Sequence, residues 1–382
     1  MAGSGIKKGS KGKSLEKPFY RADSILSSWF TEYSGQYARI YETAADESAL
    51  NSVTTWSHPN NGSGQALPTY AGVHEIAYTE SNVYIRTSGL GFHIMGPWYL
   101  NEARTNIFPN YPGNTSAIFR FPRALGTPPI SKTATGNGTI GYFVDGIGMF
   151  DSRDAFSYSN SNAGDARPNS NFTGDGIWNR DAYVNESVTF DSAHAHQAGI
   201  NHHYHANPPA LRHLIGDSVD YVASTNTYTE NFNGQHSPIM AWVRDGYPIY
   251  GPYGYDDPDD ATSTVRRMIT GYTTRDGSNG TTNLNDTGRN SLPNWAAVVQ
   301  GINAALTTNQ YGPAVGAAYP LGHYIEDYDY LGHLGLTLGS DFDLDEHNGR
   351  FCKTPEYPDG IYAYFVSIDA PGTPIYPHTR GR

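Results

Sequence analysis

Glycine and proline recur so closely through the aromatic stretches of this chain that no long helix can run through them. In residues 244–255, RDGYPIYGPYGY, the backbone is interrupted at Gly246, Pro248, Gly251, Pro252 and Gly254, while Tyr247, Tyr250 and Tyr253 can pack and hydrogen-bond between the breaks. The same texture extends over the chain: 42 Gly, 24 Pro, 29 Tyr and 15 Phe in 382 residues, with few Lys, Glu and Met to favour helix. Segments such as NVYIRTSGLGFHI, SAIFRFPR, TIGYFVDGIGMF and DGIYAYFVSID read as short strands between turns. The expected fold is therefore mainly β. It is a large antiparallel, β-sandwich-like domain with a few short helices and long Gly/Pro/Asn-rich loops. Helices are expected over Ala22–Tyr33, over Tyr41–Val53 and from Asn294, where NWAAVVQGINAAL follows Pro293 with apolar residues at helical spacing.

Charge divides the chain unevenly. Five of its seven lysines, Lys7, Lys8, Lys11, Lys13 and Lys17, lie in the first 17 residues, giving that arm about +4 against about −16 for the remainder. Residues 1–17 read as a basic flexible arm, 18–74 as an N-terminal extension with short helices, and 75–382 as the β-rich domain. An acidic body is a poor match for nucleic acid as the main partner, whereas the basic arm could touch nucleic acid or equally lie on the acidic body of another copy of the chain. No apolar run follows the basic residues, so no export leader is expected in this chain. No stretch is long and apolar enough to span a membrane.

Several motifs fail on context. GNGTIG, residues 136–141, has dinucleotide-loop spacing, but YFV follows it and reads as strand, with no helix N-terminus for a pyrophosphate. GKS at residues 12–14 lacks the upstream P-loop glycine. Cys352 is the only cysteine, which excludes a disulfide within the chain and any thiolate cluster, and its neighbours make it a core residue.

One constellation survives. Five of the 14 histidines fall between His194 and His205, in AHAHQAGINHHYH. Residues two apart on a strand share a face, so His194 goes with His196 and His203 with His205. A tight turn at Gly199-Ile200 would set His196 opposite His203 and His194 opposite His205, bringing four imidazoles together with His202 on the other face. Such a patch suits Zn(II) or Cu(II). His213 and His236 are possible further ligands, and Asp245 could orient an imidazole. A second candidate is SDFDLDEHNGR, where Asp341, Asp343 and Asp345 alternate with Phe342 and Leu344 and could hold Ca2+ from one strand face.

The run His202-His203-Tyr204-His205, followed by ANPPAL, resembles the YHYH-domain family, with His202 standing where the family's first Tyr would be. The resemblance continues through VDGIGMFDSRDAFSYSN, GIWNRDAYVNESVTFD, HSPIMAWVRDGYPIYGPYGY and DLDEHNGRFCKTPEYPDGIYAYFV, over roughly residues 75–377. It implies a secreted or phage setting and assigns no activity. The expectation is a structural or binding subunit of a larger assembly, in a virion or at an extracellular surface, carrying a metal-binding hairpin and meeting other copies through the basic arm. The alternative is a metal-dependent hydrolase or oxidoreductase using the same histidines. A glycan-binding module, from the Tyr and Trp supply, is a third.

Overall fold

The computed structural model describes residues 7–8, 23–123, 134–167 and 174–379; the rest of the arm lies outside them. The chain is mainly β, as its punctuation requires, and two sheets dominate. The smaller contains β1 (Lys7–Lys8), β2 (Val73–Tyr78), β3 (Asn82–Thr87) and β4 (Ala117–Pro122), antiparallel and adjacent in that order. In β3 the side chains alternate, burying Val83, Ile85 and Thr87.

The larger sheet has eight strands: β5 (Gly141–Phe143), β6 (Gly148–Met149), β7 (Ala195–Ala198), β8 (Asn201–Tyr204), β9 (Ile239–Val243), β10 (Pro248–Tyr250), β11 (Gly349–Cys352) and β12 (Ile361–Phe365). Their order is β7-β8-β6-β5-β9-β10-β12-β11. This sheet is not antiparallel throughout, as the sequence led us to expect. β6 runs parallel to β8 and β10 parallel to β12, because after a long excursion the chain re-enters the sheet at its margin, as β7 or β11, and then reverses once more into the parallel strand. All five residues of β9 are buried, matching its unbroken apolar run IMAWV.

Both sheets share one core. The ring of Phe119 in β4 lies 5.0 Å from that of Tyr142 in β5. The segment before β2 belongs to the same core: Trp29 packs on Phe121, Phe30 N–H donates to Val144 O, and Trp242 Nε1 donates to Ser28 Oγ at 2.8 Å. A boundary at residue 75 would cut through β2. A second cluster gathers Trp178, Trp295, Tyr324 and Tyr376 beneath a three-stranded sheet, Gly164–Ala166, Arg153–Ser159 and Asn179–Asp181.

The helices are shorter than expected. The first two shrink to Ser24–Ser27 and Ala44–Ser48, and the third covers Asn294–Gln300 before Gly301 turns left-handed at φ 67°. Among the described residues no helix is long and apolar enough to cross a membrane.

The turn joining β5 to β6 presses on the smaller sheet. Thr87 Oγ1 lies 2.8 Å from Gly146 O, and Gly146 has φ 86°. A Cβ there would stand 2.5 Å from Thr87 Oγ1 and 2.9 Å from the backbone of Gly72. Gly146→Ala should therefore lower the unfolding free energy by about 3 kcal/mol, read as a reduced urea midpoint at unchanged slope.

Candidate metal centre

The histidine hairpin forms in the expected register. β7 and β8 pair antiparallel with His196 opposite His203 and Gln197 opposite His202, and Gly199, at φ 63°, opens the two-residue turn. β8 in turn lies against β6, with Gly148 opposite His203, so the hairpin forms one margin of the large sheet.

Three of the four predicted histidines converge. His196, His203 and His205 are buried, and one nitrogen from each lies within 4.8 Å of the other two. The closest approach is Nε2 to Nε2 between His203 and His205, at 3.1 Å. His194 is not with them. It precedes β7 with φ 62°, its Nδ1 faces Asn207 O at 3.0 Å, and its ring lies against Tyr183. The pairing with His205 fails because the ladder ends at Ala195, where a left-handed residue re-aims the side chain.

The partners of the three rings fix their protons. His203 Nδ1 faces Asn201 O at 3.0 Å, and His205 Nδ1 faces Asp151 O at 2.6 Å. Carbonyl oxygens only accept, so both Nδ1 atoms carry hydrogen. His196 Nδ1 lies 2.7 Å from Thr189 Oγ1, whose own hydrogen goes to Glu186 O at 2.6 Å, so it too donates. Each neutral ring thus turns a bare Nε2 into one space. This is how ligand histidines are commonly held, with the far N–H tied to an oxygen.

The space disfavours a protonated imidazole. Burial pushes the imidazolium pKa of His196 and His203 well below the usual histidine value, with neighbouring histidines adding to it, and burial lowers His205 as well. Phe150 stacks on His203 at 3.8 Å, and Phe190 meets His196 edge-on. A proton shared between the facing Nε2 atoms would make the imidazolium that this setting disfavours. An ion accepting nitrogen ligands would satisfy all three at once.

A fourth group was invisible in the sequence. Glu186 Oε2 lies 3.3 Å from His205 Nε2 and 3.5 Å from His196 Nε2. It ends the short helix Ala182–Glu186, started by Asp181, whose carboxylate accepts from Val184 N–H at 3.0 Å. Burial raises the Glu186 carboxyl to about 7, with Arg180 and Arg167 opposing the rise and Asp181 adding to it.

The remaining candidates are placed elsewhere. His213 is exposed beside Tyr221, with Nδ1 facing Val219 O. His236 packs among Tyr250, Tyr255 and Phe365, where burial lowers it to about 4. Asp245 accepts from Tyr364 O–H and Tyr247 N–H in its own turn. The acidic run does not form a strand, and its carboxylates diverge. Asp341 accepts from Thr337 N–H, Asp343 takes a two-pronged bond from Arg266, and Asp345 accepts from Tyr362 O–H. Cys352 is buried in β11, and burial raises its thiol pKa. Residues 136–141 lead into β5 and not into a helix.

Compared with known proteins, the chain matches a family model described as YHYH protein over residues 119–376. No curated protein and no solved structure matches it.

Two outcomes follow from the proton arrangement. Thr189→Val removes the acceptor for His196 Nδ1–H and should weaken zinc binding about 10–100-fold by calorimetry while leaving the fold intact. Below pH about 7 an incoming ion must displace the Glu186 proton, so affinity should fall as pH falls, up to tenfold per unit. In Glu186→Gln that slope should disappear, and an unchanged slope would remove Glu186 from the site.

Proposed function

The chain belongs to the YHYH family, and on that premise we propose a structural or binding subunit of a larger assembly, at a virion or extracellular surface, whose hairpin is pinned by a transition ion, zinc or copper. The observation that carries the metal is the convergence of three bare Nε2 atoms, with Glu186 beside them. Three buried imidazoles and a carboxylate make a closed set of four ligands, the pattern of ions that hold structure. Such an ion would tie the hairpin to the helix Ala182–Glu186.

The assembly reading is supported by the charge division and by the arm. Its residues Lys7–Lys8 add a two-residue strand to the edge of β2. A strand so short is exchangeable, and the same pairing made with a neighbouring copy would link subunits.

A second reading has one observation behind it. Glu186 is the most exposed of the four groups, its side chain 22% accessible. If it leaves the ion, it opens a coordination position and stands beside it as a base, which a metal-dependent hydrolase needs.

Elemental analysis of dialysed protein by plasma mass spectrometry should find one or more equivalents of zinc or copper, with one lost in the variant His203→Ala/His205→Ala. Metal-free protein, or a variant that binds as much metal as the unmutated chain, would overturn the site. Deleting residues 1–17 should reduce the mass by light scattering to that of a single chain, with an unchanged circular dichroism spectrum. If the shortened chain assembles as before, the arm is not the link.

A further inference from the structure

The face of β8 opposite the candidate centre carries a second group of ligand type. His202 projects there and meets His93 and Asp191, and one donor atom from each lies within 4.8 Å of the other two. These two clusters are the only ones of three or more His, Cys, Asp or Glu so gathered among the described residues. His202 is fully buried, and neither of its ring nitrogens has a hydrogen-bond partner in good geometry. His93 Nε2 is equally without one, and faces Asp191 Oδ2 at 3.5 Å.

The surroundings orient these atoms. Asp191 Oδ1 accepts from Ala193 N–H at 2.9 Å and Ala195 N–H at 3.2 Å, and Oδ2 accepts from Gly96 N–H at 2.8 Å. That leaves Oδ2 a lone pair on the imidazole side. Tyr204 O–H donates to Asp145 Oδ2 at 3.1 Å, so its oxygen can accept from His93 Nδ1, 3.5 Å away. His93 Nε2 faces the buried Asp191 carboxylate. The edge of Trp98 packs on His202, ring centroids 5.6 Å apart.

Leaving buried nitrogens without partners is costly, and a protein retains them where something fills the gap.

We propose that His93, Asp191 and His202 form a second metal site, separate from the His196–His203–His205 centre, that takes a divalent first-row transition ion. Two imidazoles and one carboxylate are a donor set for zinc, iron(II) or manganese(II), and they leave positions for a further ligand. The proposal does not depend on the first centre, because the two sets share no residue.

Zinc is the probe. Crystals of the full chain grown with zinc chloride, measured at the zinc absorption edge, should show an anomalous peak about 2.0–2.2 Å from His93, Asp191 and His202. A peak at His203 and His205 alone overturns this proposal and leaves the first centre standing. A peak here alone does the reverse, and no peak at either overturns both. In solution, His202→Phe should reduce bound zinc from two equivalents per chain to one, and His203→Ala/His205→Ala should do the same by emptying the other site. Should either variant fold poorly, the anomalous map of the unmutated protein still decides.

Discussion

Parallel pairing between β6 and β8, with Gly148 opposite His203, obliges the chain to leave the large sheet after β6, re-enter it at the margin as β7 and reverse through the hairpin into β8. The excursion occupies residues 150–194, and it supplies much of what surrounds the histidines. Asp151 gives the carbonyl for His205, the helix Ala182–Glu186 brings a carboxylate, Thr189 takes the proton of His196, and Asp191 ties the start of β7 to Gly96. Had β6 joined β8 by a tight antiparallel turn, none of these groups could have been placed there.

The second governing condition is dryness. Neutral imidazoles are accommodated in the interior most readily where their N–H groups find acceptors, and backbone carbonyls supply these for His194, His203 and His205. Aromatic rings of Phe150 and Phe190 complete the enclosure of the triad. The same exclusion of water that keeps the histidines uncharged raises the Glu186 carboxyl to about 7.

What the sequence revealed was local. The register of β7 with β8 followed from a glycine turn and a two-residue period, and the mainly β fold followed from the spacing of glycine and proline. Three of the four expected histidines converge for the same reason. His194 escapes because a single left-handed backbone angle, invisible in the residue order, ends the ladder one position early. Glu186, Thr189, His93 and Asp191 were not legible because their approach depends on a crossover and on a loop far away in the chain. The alternation in Asp341–Asp345 looked like a strand face, yet Arg266 and Tyr362 draw two of its carboxylates apart. Residues 18–74 read as an appendage only because their apolar positions are scattered; Trp29 and Phe30 find the common core across long separations.

His202 and His203 are neighbours on the chain and strangers in space, since a strand sends them to opposite faces. Evolution can therefore alter one cluster without touching the other. A change of residue 202 to tyrosine would rewrite the interior beneath the hairpin and leave the triad above it whole. One substitution at residue 202 would therefore act on the ligands of one cluster alone.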